Sequence, residues 1–288
     1  MSIDVLQEKI RKTKCPIVLD LSMESAQIPS CVVESAGEQA MVVYCRELLL
    51  ALRGIVPAVR FCFDQFALMG SRGMDDLADL LHQAKDLGYY VLLDGPAIYT
   101  TWAAQRAAAL MDDDSDFYCD GMIISPYIGS DALKPFVERC KAGKSLFVIL
   151  RSPNRSAVEI QDLMTGSRLV HIAAADMVKR HGDGILGKCG YSQIGALTSA
   201  TSVSAITGLR SKYNRMFLLV DGLDYPGGNS KNASCGFDRM GHGCVVSVGA
   251  AITGAWKDGE AEGGDYVQQA QRAAERIRNN LSRYISVL

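Results

Sequence analysis

Short apolar runs recur along the chain at 17–21, 56–63, 89–94, 121–124, 146–151, 185–188, 216–220 and 244–248, each bounded by turn or polar residues. Their length and their β-branched or aromatic content predict buried strands. Few polar residues interrupt them, as in a parallel sheet covered on both faces. Helical spacing fills the intervals, at roughly 34–53, 73–87, 100–111, 131–142, 168–181, 198–212, 230–240 and 264–284. The last of these sets Tyr266, Ala270, Ala273, Ile277 and Leu281 three or four residues apart. Strands and helices alternating eight times predict an α/β fold, a (β/α)8 TIM barrel in a single domain over 1–288. A doubly wound open sheet is the alternative with the same alternation. No repeat, low-complexity tract or linker divides the chain.

Composition narrows the partners. Hydrophobic residues make up 48% of the 288 and charged residues 22%, enough for a sizeable core. A net charge of −2 argues against a general nucleic-acid or anionic-membrane binder. No apolar run is long enough to span a membrane, and the polar start is no signal peptide. The nine cysteines are scattered without a Cys-x-x-Cys pair, which suits reduced thiols in a cytoplasmic protein. His82, His171, His181 and His242 lack paired-ligand spacing, so no zinc is expected. The acidic run 112–116 lacks a calcium loop's glycine and closing glutamate and reads as a solvated turn. Nothing in the sequence carries a cofactor fingerprint.

In a barrel the carboxyl ends of the strands line the site. Those positions offer Asp20, Arg60, Asp94, Ser125, Arg151, Ser152, Lys188, Asp221, Asp224 and Ser247. Capping of the following helices explains Asp and Ser there equally well. Lys188, expected to end the sixth strand, is either an activated base or nucleophile with Asp94 and Asp221 as acid–base partners, or the ion-pair partner of Asp221 or Asp224. Arg60 has the analogous alternative of neutralising Asp20 or Asp94. The glycine loop 222–228, with Gly227 and Gly228, is either a phosphate cradle or a flexible connection, and its flanking Asp221 and Asp224 oppose an anion.

The order of several segments carries a resemblance. These are Ile17-Val-Leu-Asp20, Ala58-Val-Arg60, Asp94-x-Pro96-x-x-Tyr99, Ser125-Pro-Tyr-Ile-Gly-Ser-Asp-Ala-Leu133, the run from Arg151 to Leu163, the loop Gly222–Gly228 and Val245-Val-Ser-Val-Gly-Ala250. Together, over about residues 15–255, they resemble the type 2, bacterial branch of the orotidine 5'-phosphate decarboxylase family. The resemblance implies a homodimeric barrel that converts orotidine 5'-phosphate to uridine 5'-phosphate without a cofactor. It also implies a Lys/Asp array at the reacting carbon and an arginine and a glutamine on the phosphate. Asp20, Asp94, Ser125, Arg151, Ser152, Gly227 and Gly228 fall on or beside retained segments.

The departures fall on the chemistry. The second-strand lysine of the family aligns with Arg60, the proton-donating lysine with Pro96 and the following aspartate with Tyr99. The phosphate glutamine aligns with Pro226 and the arginine with Ala250. Proline has neither charge nor a backbone N–H, alanine grips no anion, and arginine is too basic to hand over a proton. The expectation is therefore a family member with little or no decarboxylation that binds a small molecule, a pyrimidine nucleotide being the family's candidate. Two alternatives stay open: a repurposed enzyme using Lys188, and a non-catalytic scaffold whose mouth is closed by Tyr99 and Trp102.

Overall fold

Eight short strands, each alternating one side chain inward with the next outward, set the architecture. The computed structural model describes residues 2–96, 100–259 and 264–286. The strands are β1 (Ile17–Asp20), β2 (Ala58–Cys62), β3 (Tyr90–Asp94), β4 (Gly121–Ile124), β5 (Ser145–Ile149), β8 (Ile194–Ser199), β9 (Leu218–Asp221) and β10 (Cys244–Val248). They close in chain order into a parallel barrel, β10 returning to β1. A small antiparallel hairpin, β6 (Met164–Thr165) with β7 (Arg168–Leu169), lies outside it in the connection after β5. The barrel is the expected TIM architecture, formed as a single domain.

The alternation sorts the core into two parts. Val18, Tyr90, Phe147, Leu197, Phe217 and Val245 point inward and fill the barrel. Ile17, Leu19, Val91, Val148 and Val246 point outward beneath the surrounding helices. A helix that the sequence pattern did not predict, Ser2–Thr13, plugs the foot of the barrel, where the strands begin. Ile3, Leu6 and Ile10, at three- and four-residue spacing, are fully buried in the inner cluster. Burial of side chains of this size stabilises the fold by about 1.5–3 kcal/mol each. Ser2 Oγ and Ser145 Oγ lie 2.7 and 2.6 Å from Tyr90 Oη, so the buried phenol is satisfied.

The expected sixth strand is corrected. Residues 185–192 form a turn, with a bridge between Leu186 and Ser192 and Gly187 N donating to Tyr191 O at 2.8 Å. The strand is β8, nine residues later, and it reads Ile-Gly-Ala-Leu-Thr-Ser. Its apolar signal is weak because the barrel is crowded there. A Cβ on Gly195 would lie 2.4 Å from Phe217 O, so only glycine fits. Its helix accordingly starts at Val203 rather than 198. The expected helix at 230–240 shortens to Ser230–Ser234. That at 34–53 divides into Ser30–Ala36 and Ala40–Ala51 around Gly37, whose φ of 55° breaks the helix.

Candidate functional site

The inward alternation that packs apolar side chains in the lower barrel delivers polar ones at the mouth, where the strands end. Arg60 is two residues beyond Ala58 on β2 and faces inward. Asp20 on β1 stands opposite it in register. Asp94 ends β3 and Asp221 ends β9. Arg60 Nη1 lies 3.0 Å from Asp20 Oδ2 and 2.9 Å from Asp221 Oδ2, and Nη2 donates to Asp94 Oδ2. Ser247 Oγ, from β10, sits 3.3 Å from Nη1 and donates to Asp20 Oδ2 at 3.4 Å.

Backbone donors fix these carboxylates in turn. Ser22 N donates to Asp20 Oδ1 at 2.9 Å, and Gly222 N to Asp221 Oδ1 at 2.7 Å. Burial works against the Arg60 charge, but Asp20, Asp221 and Asp94 outweigh it and hold the guanidinium protonated well above arginine's usual value. Burial pushes the Asp20 carboxyl up; Arg60 opposes the shift and Asp221 adds to it. The group is one cation clamped by three carboxylates, and it cannot serve as a proton donor near neutrality. Cys62, which pairs in register with Asp94, also faces the mouth; burial raises its thiol pKa.

The end of β10 shows a second replacement. Gly249 N donates to Asp224 Oδ2 at 2.7 Å and Ala251 N to Asp224 Oδ1 at 3.0 Å. In barrels, backbone N–H groups after the last strands commonly hold phosphate. Here the chain's own carboxylate occupies them. Crowding by protein raises the Asp224 pKa, against the lowering effect of the Gly249 and Ala251 amides. The glycine loop that carries Asp224 is tight. Gly222 adopts φ 83°, and a Cβ on Gly228 would lie 1.9 Å from Gly222 O. Pro226, Gly227 and Ala250 are exposed at its rim.

Arg151 ends the fifth-strand segment but turns into the following loop instead of joining Arg60. Its Nε lies 3.1 Å from Asp162 Oδ1, and Nη1 donates to Ser152 O at 2.6 Å. Ser152 N in turn donates to Gln161 Oε1 at 2.8 Å. Gln161 and Asp162, which organise this corner, lie in the run from Arg151 to Leu163 that carries the resemblance, but were not marked as site residues. Ser125 is exposed, its Oγ accepting from Tyr127 N at 3.4 Å. Pro96 follows β3 at the mouth, and Tyr99 lies outside the described residues. Trp102 is 58% exposed, so it does not plug the barrel.

Lys188 requires a correction. It is exposed in the 185–192 turn at the foot, at the opposite end of the barrel from Asp94 and Asp221. The adjacent Cys189 N donates to Asp4 Oδ1 of the foot helix at 2.8 Å. Neither an acid–base partnership with Asp94 and Asp221 nor an ion pair with Asp221 or Asp224 is geometrically available. Among the described residues no cluster of His, Cys, Asp or Glu is arranged to hold a metal ion, and no helix is long and apolar enough to cross a membrane.

Known proteins match along nearly the whole chain. The orotidine 5'-phosphate decarboxylase of Rhodopirellula baltica is 28% identical over 265 residues, covering 88% of each chain. That of Caldicellulosiruptor bescii is 25% identical over 302 aligned positions, covering 98% of each. The solved structure of Leishmania donovani OMP decarboxylase superposes with a TM-score of 0.72 at 20% identity, over 96% of this chain and 99% of the other, a likeness of fold. No family model matches the chain. These relatives and this barrel together support the orotidine 5'-phosphate decarboxylase family as the one to which the chain is related.

Proposed function

We propose that this protein is a type 2 homologue of the orotidine 5'-phosphate decarboxylases that does not decarboxylate and keeps its barrel mouth as a small-molecule site without a phosphate grip. The observation that carries this reading is Arg60 clamped by Asp20, Asp94 and Asp221. Loss of carbon dioxide from the pyrimidine leaves a carbanion that must be stabilised and then protonated. A catalyst needs a cation that is stronger on the transition state than on the ground state and able to release a proton. Arg60 is already neutralised by its neighbours and is too basic to give up its proton. Three carboxylates against one guanidinium make the mouth acidic, which opposes a carboxylated, phosphorylated substrate.

Sequence positions strengthen the reading: Pro96 and Tyr99 stand where the family has its lysine and aspartate, and Pro226 and Ala250 where it has its phosphate ligands. Asp224 on the Gly249 and Ala251 amides adds a competing internal anion. A homodimer belongs to the same proposal. Its candidate contacts are the exposed Tyr127 and Ile128 after β4 and Val158 and Ile160 after β5. No disulfide joins any two cysteines among the described residues, which suits a reducing cytoplasm.

Calorimetry with uridine and uridine 5'-phosphate tests the ligand side of the proposal. Binding of the nucleotide no tighter than the nucleoside is expected. A preference for the nucleotide of about a hundredfold or more would mean that a phosphate grip survives. Sedimentation analysis tests the dimer, which fails if the protein remains a monomer at micromolar concentration.

A further inference from the structure

Beside the mouth, and sharing none of its clamped charges, a cavity of about 430 Å³ lies between helix Val170–Gly182 and the loops after β4 and β5. Its volume is that of small-molecule sites in general. One helix face supplies its apolar wall: Val170, Ala173, Ala174 and Met177 recur at helical spacing. The paired alanines leave the space that larger side chains would fill. Ile149 and Tyr127 form the facing side.

Two polar side chains flank this wall at its opposite ends. His171 is only 4% exposed, and its Nδ1 lies 2.9 Å from Gln161 O and 3.2 Å from Asp162 Oδ1. Both neighbours only accept, so Nδ1 carries a proton and Nε2 is the ring's remaining polar atom. Nε2 has no hydrogen-bond partner among the described residues. Arg180, exposed at the far end, makes no ion pair among them either. Nine residues of helix separate the two by about 13 Å along the axis. Both side chains lean towards the helix amino end, so their polar ends stay about as far apart along the axis.

We propose that this cavity binds an elongated amphipathic acid. Its carboxylate pairs with Arg180, its apolar or aromatic middle lies against Met177 and the two alanines, and a hydroxyl at the other end hydrogen-bonds to His171 Nε2. A para-hydroxylated aromatic acid has this length and polarity.

The test is a titration of isotope-labelled protein with 4-hydroxybenzoate, benzoate and 4-hydroxybenzamide, read by amide chemical shifts. With 4-hydroxybenzoate the shifts should cluster at residues 170–180. Losing either polar end of the probe should weaken binding about tenfold. Arg180→Gln should reduce the acid to the affinity of the amide, and Ala174→Phe should block all three probes. If Ala174→Phe fails to fold, the exposed Arg180→Gln variant and the three-probe comparison on the wild-type protein decide alone. The absence of any shift along this helix at about 10 mM acid overturns the proposal. Equal affinity for acid and amide overturns it too, as does an unchanged affinity in Arg180→Gln.

Discussion

Arg60 and its three carboxylates form a charged group whose parts depend on one another. Asp20 and Asp221 are oriented by backbone or side-chain donors, so this part of the mouth is preorganised around a guanidinium. Removing one partner of a buried ion pair typically costs about 3–5 kcal/mol, because the remaining charges are left uncompensated. Arg60→Met should therefore lose about that much stability in denaturant unfolding at neutral pH. The deficit should shrink on acidification, as the orphaned carboxylates take up protons. Asp20 gives a second prediction. Its pKa is raised from 3.8 chiefly by burial, so the folded protein holds a proton there more tightly than the unfolded chain. Stability from this group is full below 3.8 and falls as pH rises through the raised value. Asp20→Asn lacks that dependence and should gain on wild type as pH rises above 3.8, measured by paired unfolding curves. A constant difference would contradict the assigned direction.

At the scale of elements, legibility followed chemistry. The strand at 121–124 coincides with its apolar run because that run is continuous and Ser125 ends it, and the strand at 244–248 coincides with its run because Gly243 and Gly249 bound it. β8 was hidden because the packed barrel admits no side chain at Gly195 and the strand carries only a small apolar residue at Ala196. The foot helix was hidden because Ile3, Leu6 and Ile10 are sparse among charged residues. Their burial nonetheless makes the helix part of the core, and Leu6→Ala should cost about 2–5 kcal/mol in denaturant unfolding. A loss near zero would mean that the helix is not docked in solution. The Asp224 contact joins the loop after β9 to the segment after β10. Asp224→Ala removes the acceptor of the Gly249 and Ala251 amides; Asp224 is exposed and water can replace it, so the cost is about 0.5–1.5 kcal/mol, and their hydrogen exchange should speed up. Unchanged exchange would show that the latch does not persist in solution.

Across the whole molecule, the barrel and the addresses of Asp20, Arg60, Asp94 and Asp221 were legible, since strand ends can be counted from the alternation of elements. Of the partners, the pairing of Arg60 with Asp20 and Asp94 was among the readings of the sequence, while its third carboxylate, Asp221, was not. Arg151 could be placed at a strand end, but its turn towards Asp162 depends on a loop containing the β6–β7 hairpin. Lys188 was misplaced because one apolar run in a turn passed for a strand, which moved it from the foot to the mouth. At the mouth an acidic ring holds the arginine, and Asp224 takes the amides of Gly249 and Ala251; on the proposed reading these contacts stand in place of the family chemistry. The most direct measurement is single-turnover reaction of orotidine 5'-phosphate with excess protein, with uridine 5'-phosphate quantified by chromatography. No product above the protein-free control is predicted. Product that forms with wild-type protein and disappears in Asp94→Ala would contradict the account.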